Sequence, residues 1–475
     1  MRDFGRRLIR FVRAHPLATA VLAAAVLLRV LVEIAYWPAL TFSDSWQYIH
    51  LAYSKPIVAF GVDRPSGYPL LIHILSLPGR SLATITVVQH VAGLATGTVA
   101  YVLLVRLGMR TWLAALAAAL ILLDSYLVSL EQEIMSETFF ALALMLCAAL
   151  ALLYPRRAVL LAASGVFLAG AVTLRVAALF AVPAFVLFLL VKARPWRALA
   201  TALAGLALPL LAYASLHAAS GRGFGFTEEI GGWSLYGRVA AFADCSGARI
   251  PAGTRPLCRS AAERRRARLT PSGYVFSSKS PGRILFGFQE SDRSATFVGD
   301  FATAIIRAHP FDYAAVVAGD FGRTFEPEGG GVDPTLVFPS SRSFVWESAQ
   351  PERSLRDRYF PGYRRTVREP AGFLLAYQRV FHTQRWLMGL FALAVLLGAV
   401  ASLVGRPERS LRAAYLLLGG MGLGLVLGPV ATVELNLRFL APAVPLLVCA
   451  GVLAVRDLVT AFSRSTGRAP APISP

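Results

Sequence analysis

Acidic residues and lysine are scarce in this chain of 475 residues. Asp and Glu number 27 against 47 Lys and Arg, and only Lys55, Lys192 and Lys279 among the basic residues are lysines. Charged residues make up 16% of the chain and hydrophobic residues 56%, which exceeds the roughly half that soluble globular domains contain. This balance excludes a soluble globular protein and indicates a membrane protein.

The chain also lacks the usual signatures of a metal site. No Asp-x-Asp element occurs, and histidines such as His73, His90, His217 and His382 are scattered. Divalent cations need several oxygen or nitrogen ligands brought together. The sequence therefore predicts a metal-independent activity with no cofactor, while the pattern leaves a divalent ion open.

A net charge of +20 would suggest nucleic-acid binding in a soluble protein, but its distribution argues otherwise. Basic clusters fall at every second boundary between apolar runs, as the positive-inside rule requires of cytoplasmic loops. One orientation satisfies all of them, with both termini in the cytoplasm. We therefore expect membrane lipids, and no nucleic acid, as partners. The clusters lie at 2–13, 106–110, 154–157, 192–197, 406–412 and 456–468.

Apolar runs predict an all-α polytopic membrane protein of about ten transmembrane helices, because a helix needs about 20 apolar residues to cross a bilayer. The first run is too long for the apolar part of a signal peptide, so we expect a retained helix. Its charges Arg29 and Glu33 are four residues apart and can pair on one helix face. The predicted spans are 17–40, 81–105, 112–130, 136–153, 158–173, 177–191, 198–217, 386–404, 413–432 and 439–455.

These spans divide the chain into three parts. Residues 1–217 form an N-terminal transmembrane module whose first outer loop is 41–80, and residues 386–475 supply the last helices and a cytoplasmic tail. The segment 218–385, rich in Gly, Pro, Ser and Arg, is the candidate extracytoplasmic domain and is α-rich in stretches such as 301–321.

Two features of the 218–385 segment have a plain structural interpretation and a functional one. Aromatic residues such as Trp233, Tyr236 and Phe288 could stack on sugars, but we expect a small core. The basic run at 263–268 could meet an anionic polymer or lipid headgroups, but we expect a solvated helix face.

The four cysteines are of two kinds. Cys147 and Cys449 lie in apolar helices, where cysteine is usually a core residue. Cys245 and Cys258 both lie in the 218–385 segment, on the side of the membrane where disulfides form. We predict a disulfide that contributes about 3 kcal/mol by closing a short loop; two free thiols or an incomplete metal site are the alternatives.

Acids and arginines recur in every loop that the predicted topology places outside. Arginine binds phosphate through a forked pair of donors and stays charged, while a carboxylate beside it can act as a general base toward a hydroxyl. One such residue alone would be an ordinary interfacial charge, so the prediction of a site for a lipid-linked phosphate rests on the whole set. The set comprises Asp44, Lys55, Asp63, Arg64, Asp124, Glu131, Glu133, Glu137, Arg175, Glu434 and Arg438.

Four stretches in this order resemble motifs of a known family. The sequence resembles the GT-C class of membrane glycosyltransferases, in particular the protein mannosyltransferase and lipid A aminoarabinose transferase branch, over roughly residues 1–215 and 385–455. The stretches are SDSWQYIHLA at 43–52, RPSGYPLLI at 64–72, MSETFF at 135–140 and LNLRFLAPAVPLL at 435–447.

The resemblance implies an inverting transferase that takes a sugar from a polyprenyl-phosphate donor outside the membrane. Its acceptor hydroxyl would belong to a glycan, lipid or protein. By this analogy Asp44 is the general base that receives the proton of the acceptor hydroxyl. The leaving phosphate is already stable as an anion, so no second carboxylic acid is required, in contrast to glycoside hydrolysis.

Three arginines of the outside loops are expected to serve this reaction: Arg64 and Arg438 lie in matched stretches, and Arg175 lies in the predicted turn between the fifth and sixth spans. They would hold the donor phosphate and stabilise its growing charge. Glu137 and Tyr68 would orient the acceptor; for Glu137, pairing with an arginine or capping of a helix are the alternatives.

The chain departs from the family pattern after Asp44, where Ser45 stands in place of the Glu of the protein mannosyltransferases. This departure weakens a protein acceptor specifically. A transporter or flippase of a lipid-linked glycan, or a scaffolding membrane protein, fits part of the pattern. The few lysines and many arginines favour a GC-rich bacterial genome and hence the bacterial plasma membrane.

Overall fold

The computed structural model describes the chain as an assembly of helices. Within its described residues, an isolated parallel bridge between Leu40 and Glu133 is the one β contact. The described residues are 12–54, 60–61, 64–77, 79–192, 195–227, 230–288, 291–327, 338, 352–364, 366–404 and 409–465.

The first part of the chain supplies long apolar helices joined by short ones. Residues Val176–Ala181 form a 3-10 turn that leads into the ninth helix. The helices are α1 (Pro16–Ala35), α2 (Ser43–Tyr53), α3 (Gly67–Leu75), α4 (Leu82–Arg106), α5 (Thr111–Leu122), α6 (Ser125–Gln132), α7 (Glu137–Leu153), α8 (Ala158–Leu174), α9 (Val182–Lys192) and α10 (Trp196–Ala219).

The second part begins with short helices and ends with three long ones. Short 3-10 turns occur at Arg255–Leu257, Leu437–Phe439 and Ala441–Ala443. The helices are α11 (Ile230–Ala240), α12 (Ala261–Ala267), α13 (Pro271–Phe276), α14 (Pro281–Phe286), α15 (Asp292–Ala308), α16 (Pro310–Thr324), α17 (Glu352–Tyr359), α18 (Ala371–Tyr377), α19 (Arg385–Val404), α20 (Arg409–Thr432) and α21 (Val444–Ser465).

Six of the ten predicted spans correspond to stretches that are long and apolar enough to cross a membrane, within the described part of the chain. The predicted span 112–130 is instead the pair α5 and α6, bent by 49°, and counts as a seventh if the pair is one span. The predicted spans 136–153, 158–173 and 177–191 are apolar helices of 17 residues or fewer. The six are Pro16–Ala35, Leu82–Arg106, Trp196–Ala219, Arg385–Ser402, Leu411–Thr432 and Leu437–Ser463.

The bend between α5 and α6 has a specific cause in the sequence. The Asp124 carboxylate accepts hydrogen bonds from the backbone N–H groups of Tyr126 and Leu127, at 2.8 and 3.1 Å. An aspartate that caps a new helix in this way ends the preceding one. The hydropathy pattern predicted one continuous span, because the residues on both sides of the break are equally apolar.

Small residues allow close helix packing between α8 and α10. A Cβ atom at Gly165 would collide with the carbonyl oxygen of Ala202, and one at Gly205 with that of Ala162. Glycines at such crossings let two backbones meet in an apolar environment, where close packing drives association.

The predicted pairing of Arg29 with Glu33 is wrong. Arg29 Nη2 lies 2.6 Å from Glu131 Oε1, and its Nη1 donates to the carbonyls of Ala25 and Leu122. Glu33 instead accepts a hydrogen bond from the Thr86 hydroxyl at 2.7 Å. Arg29 pairs with Glu131 of α6 because both side chains belong to a buried network between helices. The spacing of residues along a single helix cannot reveal such a partner.

The segment between α10 and α19, residues 220–384, is called the loop unit below. Its first portion has a core of its own, in which Trp233, Tyr236 and Phe301 are fully buried. The sulfurs of Cys245 and Cys258 are bonded to each other beside this core, with 6.1 Å between the Cα atoms. Cys147 and Cys449 are buried within helices.

The last portion of the loop unit packs onto the helical bundle. The backbone N–H of Arg368 donates to the carbonyl of Ala35, and the Tyr363 hydroxyl donates to that of Ala39. Helix α17 lies against α2. The loop unit therefore covers the end of the bundle where α1 leads into α2.

Candidate functional site

The candidate site lies where α2, the segment before α3, and the turn before α21 meet. Asp44, in the first turn of α2, has its Oδ1 2.8 Å from Arg64 Nη2 and its Oδ2 3.0 Å from Arg438 Nη1. Asp44 is only 7% exposed and Arg438 only 9%. Two arginines from distant parts of the sequence thus hold one carboxylate between them.

A second carboxylate extends this arrangement. Glu137, the first residue of α7, has its Oε1 3.3 Å from Arg438 Nε, and it also pairs with Arg175. Its side chain is nearly buried, whereas that of Arg175 is partly accessible. We call these five residues the charge cluster: Asp44, Arg64, Glu137, Arg175 and Arg438. Three guanidiniums and two carboxylates leave the cluster with one excess positive charge.

The ionisation of Asp44 is decided by two opposing effects. Burial raises the pKa of the Asp44 carboxyl, but the positive charges of Arg64, Arg438 and Arg175 outweigh burial and lower it below its usual value. Asp44 is therefore a carboxylate at neutral pH while the arginines stay beside it.

Helix α2 adds two side chains to the face that carries Asp44. Gln47 accepts a hydrogen bond from Arg64 Nε at 2.7 Å, and the guanidinium of Arg64 lies 5.4 Å from the ring centroid of Tyr48. Both are missing from the residues predicted from the sequence. Their positions three and four residues after Asp44, on one helical face, are the signal that could have found them.

Backbone packing fixes the segment that carries Arg64. The N–H of Ser66 donates to the Tyr213 hydroxyl of α10 at 2.8 Å. A Cβ atom at Gly67 would lie 2.5 Å from the carbonyl oxygen of Thr173, so only glycine allows this approach. Because Thr173 lies two residues before Arg175, this contact brings the segment that carries Arg64 against the end of α8 that precedes Arg175.

Arg438 is held by its own turn and by an aromatic ring. Its N–H donates to the Asn436 side chain at 2.9 Å, which caps the 3-10 turn Leu437–Phe439. The guanidinium lies 5.0 Å from the ring centroid of Phe42, and that of Arg175 lies 6.0 Å from Phe439. These rings restrict the arginines without competing for their N–H donors.

Tyr68 lies beside the charge cluster but faces inward. It is fully buried, its hydroxyl donates to Gln89 Oε1 at 2.6 Å, and its ring meets the Tyr48 ring edge to face at 4.9 Å. Burial raises the pKa of the Tyr68 phenol well above its usual value. Tyr68 thus contacts the site through Tyr48.

The other loop acids do not join the charge cluster. Glu131 pairs with Arg29 and His90, and Asp124 caps α6 and accepts from Thr383. Glu434 accepts hydrogen bonds from Ser272 of the loop unit. Only Glu137 of the second loop reaches the site, and the prediction that all these acids converge is wrong because most have nearer structural partners. Glu133 lies in the bridge to Leu40, and Lys55 and Asp63 lie outside the described residues.

The site offers cation and carboxylate chemistry. Among the described residues, no group of three or more His, Cys, Asp or Glu side chains is arranged to hold a metal ion. The arginines present forked N–H donors that suit a phosphate. The carboxylate of Asp44 lies within reach of the same donors and can accept a proton once it is released from them.

Comparison with known proteins gives one distant structural similarity. No family model and no curated protein matches the sequence. Among solved structures, the chain is similar to the archaeal oligosaccharyltransferase AglB from Archaeoglobus fulgidus, solved in complex with an inhibitory peptide and a dolichol-phosphate. The match has 14% sequence identity and a TM-score of 0.40, and covers 98% of this chain and 53% of that chain. This chain spans about half the length of AglB, and an overlap this loose carries no argument about function.

Proposed function

We propose that this protein is an integral membrane glycosyltransferase of GT-C type. It transfers a sugar from a polyprenyl-phosphate donor to an acceptor hydroxyl at the outer face of the bacterial plasma membrane. The observation that carries the proposal is the position of Asp44 between Arg64 and Arg438, each within 3.0 Å of one carboxylate oxygen.

The charge cluster is an ion-pair arrangement that a phosphate can rearrange. The donor phosphate competes with Asp44 for the forked donors of Arg64 and Arg438, because guanidinium binds phosphate and carboxylate with the same geometry. As the arginines turn to the phosphate, the effect that lowers the pKa of Asp44 weakens while its burial stays. Donor binding therefore makes Asp44 a stronger base at the moment when a base is needed.

The transfer itself follows from this rearrangement. The acceptor oxygen attacks the anomeric carbon from the face opposite the phosphate, and the bond from that carbon to the phosphate oxygen breaks. The acceptor proton passes to Asp44, and the released polyprenyl phosphate takes the bonding electron pair. Arg64, Arg175 and Arg438 stabilise the negative charge that develops on this leaving group.

Glu137 has a supporting role in this scheme. It forms ion pairs with Arg175 and Arg438. It therefore keeps these two guanidiniums aligned after the ion pair between Asp44 and Arg438 has broken. Its side chain is too enclosed to contact an acceptor. We therefore assign Glu137 to positioning of the arginines and Asp44 to the proton transfer.

The experiment that tests the proposal is a transfer assay in membranes. Radiolabelled polyprenyl-phosphate mannose and polyprenyl-phosphate arabinose are supplied separately to wild type and Asp44→Asn. Transfer of label by wild type alone, into a glycan, lipid or protein fraction, supports the enzyme and its base. Equal transfer by both forms overturns the assignment of Asp44. Translocation of the intact donor across the membrane without sugar transfer identifies a flippase instead.

A further inference from the structure

A second charged pocket lies in the loop unit, apart from the charge cluster. It has a volume of about 230 Å³ and is lined by Ala241, Ala261, Arg264, Arg265, Leu269 and Tyr274. The pocket is open to solvent on one side, and a space of this size admits one sugar ring or one headgroup.

The surroundings of this pocket are strongly positive. Residues 241–274 contain seven arginines and two acids. Both acids are engaged by serine: Asp244 accepts from Ser246 at 2.6 Å, and Glu263 accepts from Ser260 at 2.7 Å. The carboxylates are thus committed to local turns, and the segment keeps its positive field. The arginines are Arg249, Arg255, Arg259, Arg264, Arg265, Arg266 and Arg268.

The pocket is built on a rigid frame. Arg264 donates to the carbonyl oxygens of Ala243 and Arg259, which flank the disulfide between Cys245 and Cys258. The Tyr274 ring is 3% exposed and forms part of the wall. Arg265 also lines the pocket and is exposed, so its charge is accessible to a ligand from solvent.

One wall of the pocket is tied to the charge cluster. Tyr274 lies on α13, two residues after Ser272, whose N–H and hydroxyl both donate to Glu434. Glu434 in turn lies four residues before Arg438, which belongs to the 3-10 turn that Asn436 caps. A ligand held against α13 is therefore positioned relative to the segment that carries Arg438.

We infer that this pocket binds an anionic sugar unit of the acceptor, one that bears a phosphate or a carboxylate. The anionic chemistry follows from the arginine lining and the size from the cavity. That the ligand belongs to the acceptor rests on the proposed function. The same phosphate chemistry is present in the headgroup of an anionic phospholipid, and the experiment separates the two sources.

The test measures binding to the full-length protein in detergent, with glucose 6-phosphate as the probe and glucose as the neutral control. The variant is Arg265→Gln. The matched control is Arg266→Gln, which removes the same charge from the next residue of α12, outside the pocket lining. We expect saturable binding of glucose 6-phosphate that Arg265→Gln weakens by about tenfold, the effect of one charge-assisted contact, and that Arg266→Gln changes by less than about twofold.

Three results would overturn the inference: no saturable binding to wild type, equal losses in both variants, or equal binding of glucose. The same binding is measured in nanodiscs that contain anionic phosphatidylglycerol. If this lipid displaces glucose 6-phosphate from wild type and does not bind Arg265→Gln, the pocket is a lipid site and its acceptor role is overturned. Phosphatidylcholine nanodiscs serve as the control. Asp44→Asn should bind glucose 6-phosphate as wild type does, because Asp44 lies outside this pocket. Loss of sugar transfer and loss of probe binding are therefore separate results, and either proposal can fail without the other.

Discussion

Asp44 and Arg438 come from opposite ends of the chain and meet with 3.0 Å between Oδ2 and Nη1, both more than nine-tenths buried. A buried charge that loses a partner is costly, so the loss of either residue should destabilise the charge cluster. In the proposed function, the donor phosphate replaces Asp44 as the partner of Arg438 and leaves Asp44 free to accept a proton.

Replacement of Asp44 should separate catalysis from donor binding. Asp44→Asn removes the proposed base and should lower the rate of transfer about 100- to 10,000-fold, the range that general-base groups supply. Donor affinity should be kept or increased, because the phosphate no longer competes with a carboxylate for the arginines. The measurements are transfer rate and donor binding. Asp312→Asn, at an exposed position of α16, is the control and should change neither.

Arg64 and Arg438 should differ in what their loss affects. Arg438→Gln leaves Asp44 and Glu137 without their shared partner in a buried setting and should cost about 3–5 kcal/mol of stability. The Arg64 side chain is more accessible, so Arg64→Gln should cost only about 1 kcal/mol. Both should weaken donor binding. Thermal unfolding with a donor titration checks this, and equal losses of stability in the two variants would contradict the assigned burial.

Stability at acidic pH should report the state of Asp44. Its pKa is lowered in the folded protein, so the stability that its ionised form contributes is complete above the pKa of the unfolded chain, about 3.9. That stability is lost as the pH falls through the lower folded pKa. The stability advantage of wild type over Asp44→Asn should therefore shrink below about pH 4. Parallel unfolding curves for the two forms from pH 6 to pH 3 would be inconsistent with the ion pairs described.

Two glutamates of one predicted loop should behave differently. Glu131→Gln leaves Arg29 without its carboxylate partner between helices and should destabilise the protein by about 3–5 kcal/mol, with donor affinity unchanged. Glu137→Gln should weaken donor binding because Arg175 and Arg438 lose their alignment. Unfolding temperature and donor affinity are measured for both. Glu33→Gln, whose Thr86 hydrogen bond can persist as an amide contact, is the control for loss of a carboxylate near Arg29.

Loss of the disulfide between Cys245 and Cys258 should destabilise the loop unit and leave the helical bundle unaffected. The double variant Cys245→Ala, Cys258→Ala should lower the stability of the core around Trp233 by about 3 kcal/mol, as expected for a closed loop of this length. Limited proteolysis of residues 230–313 provides the measurement. A reducing agent should reproduce the effect in wild type and add nothing in the double variant. If the reduced wild type and the double variant were cleaved no faster than the oxidised wild type, the packing of Trp233 and Tyr236 would be enough to stabilise this core without the disulfide.

Much of the helical architecture could be predicted from the chain alone. Apolar runs of the length of α1, α4 and α10 have few alternatives to spanning helices, and hydropathy located them. The same pattern missed the break at Asp124, because a capping carboxylate within an apolar run leaves the mean hydropathy almost unchanged. The pairing of Arg29 was also mispredicted, since its partner lies on another helix.

The sequence by itself determined which charged residues were candidates for one site: Asp44, Arg64, Glu137, Arg175 and Arg438 were all singled out by residue type together with a motif or the predicted topology. Only the tertiary structure decided that these five meet in one cluster while Glu131, Asp124 and Glu434 take structural partners elsewhere. The reason is physical. Residue type sets which interactions a side chain can make, but burial and the crossing of distant helices decide which partner comes within 3 Å.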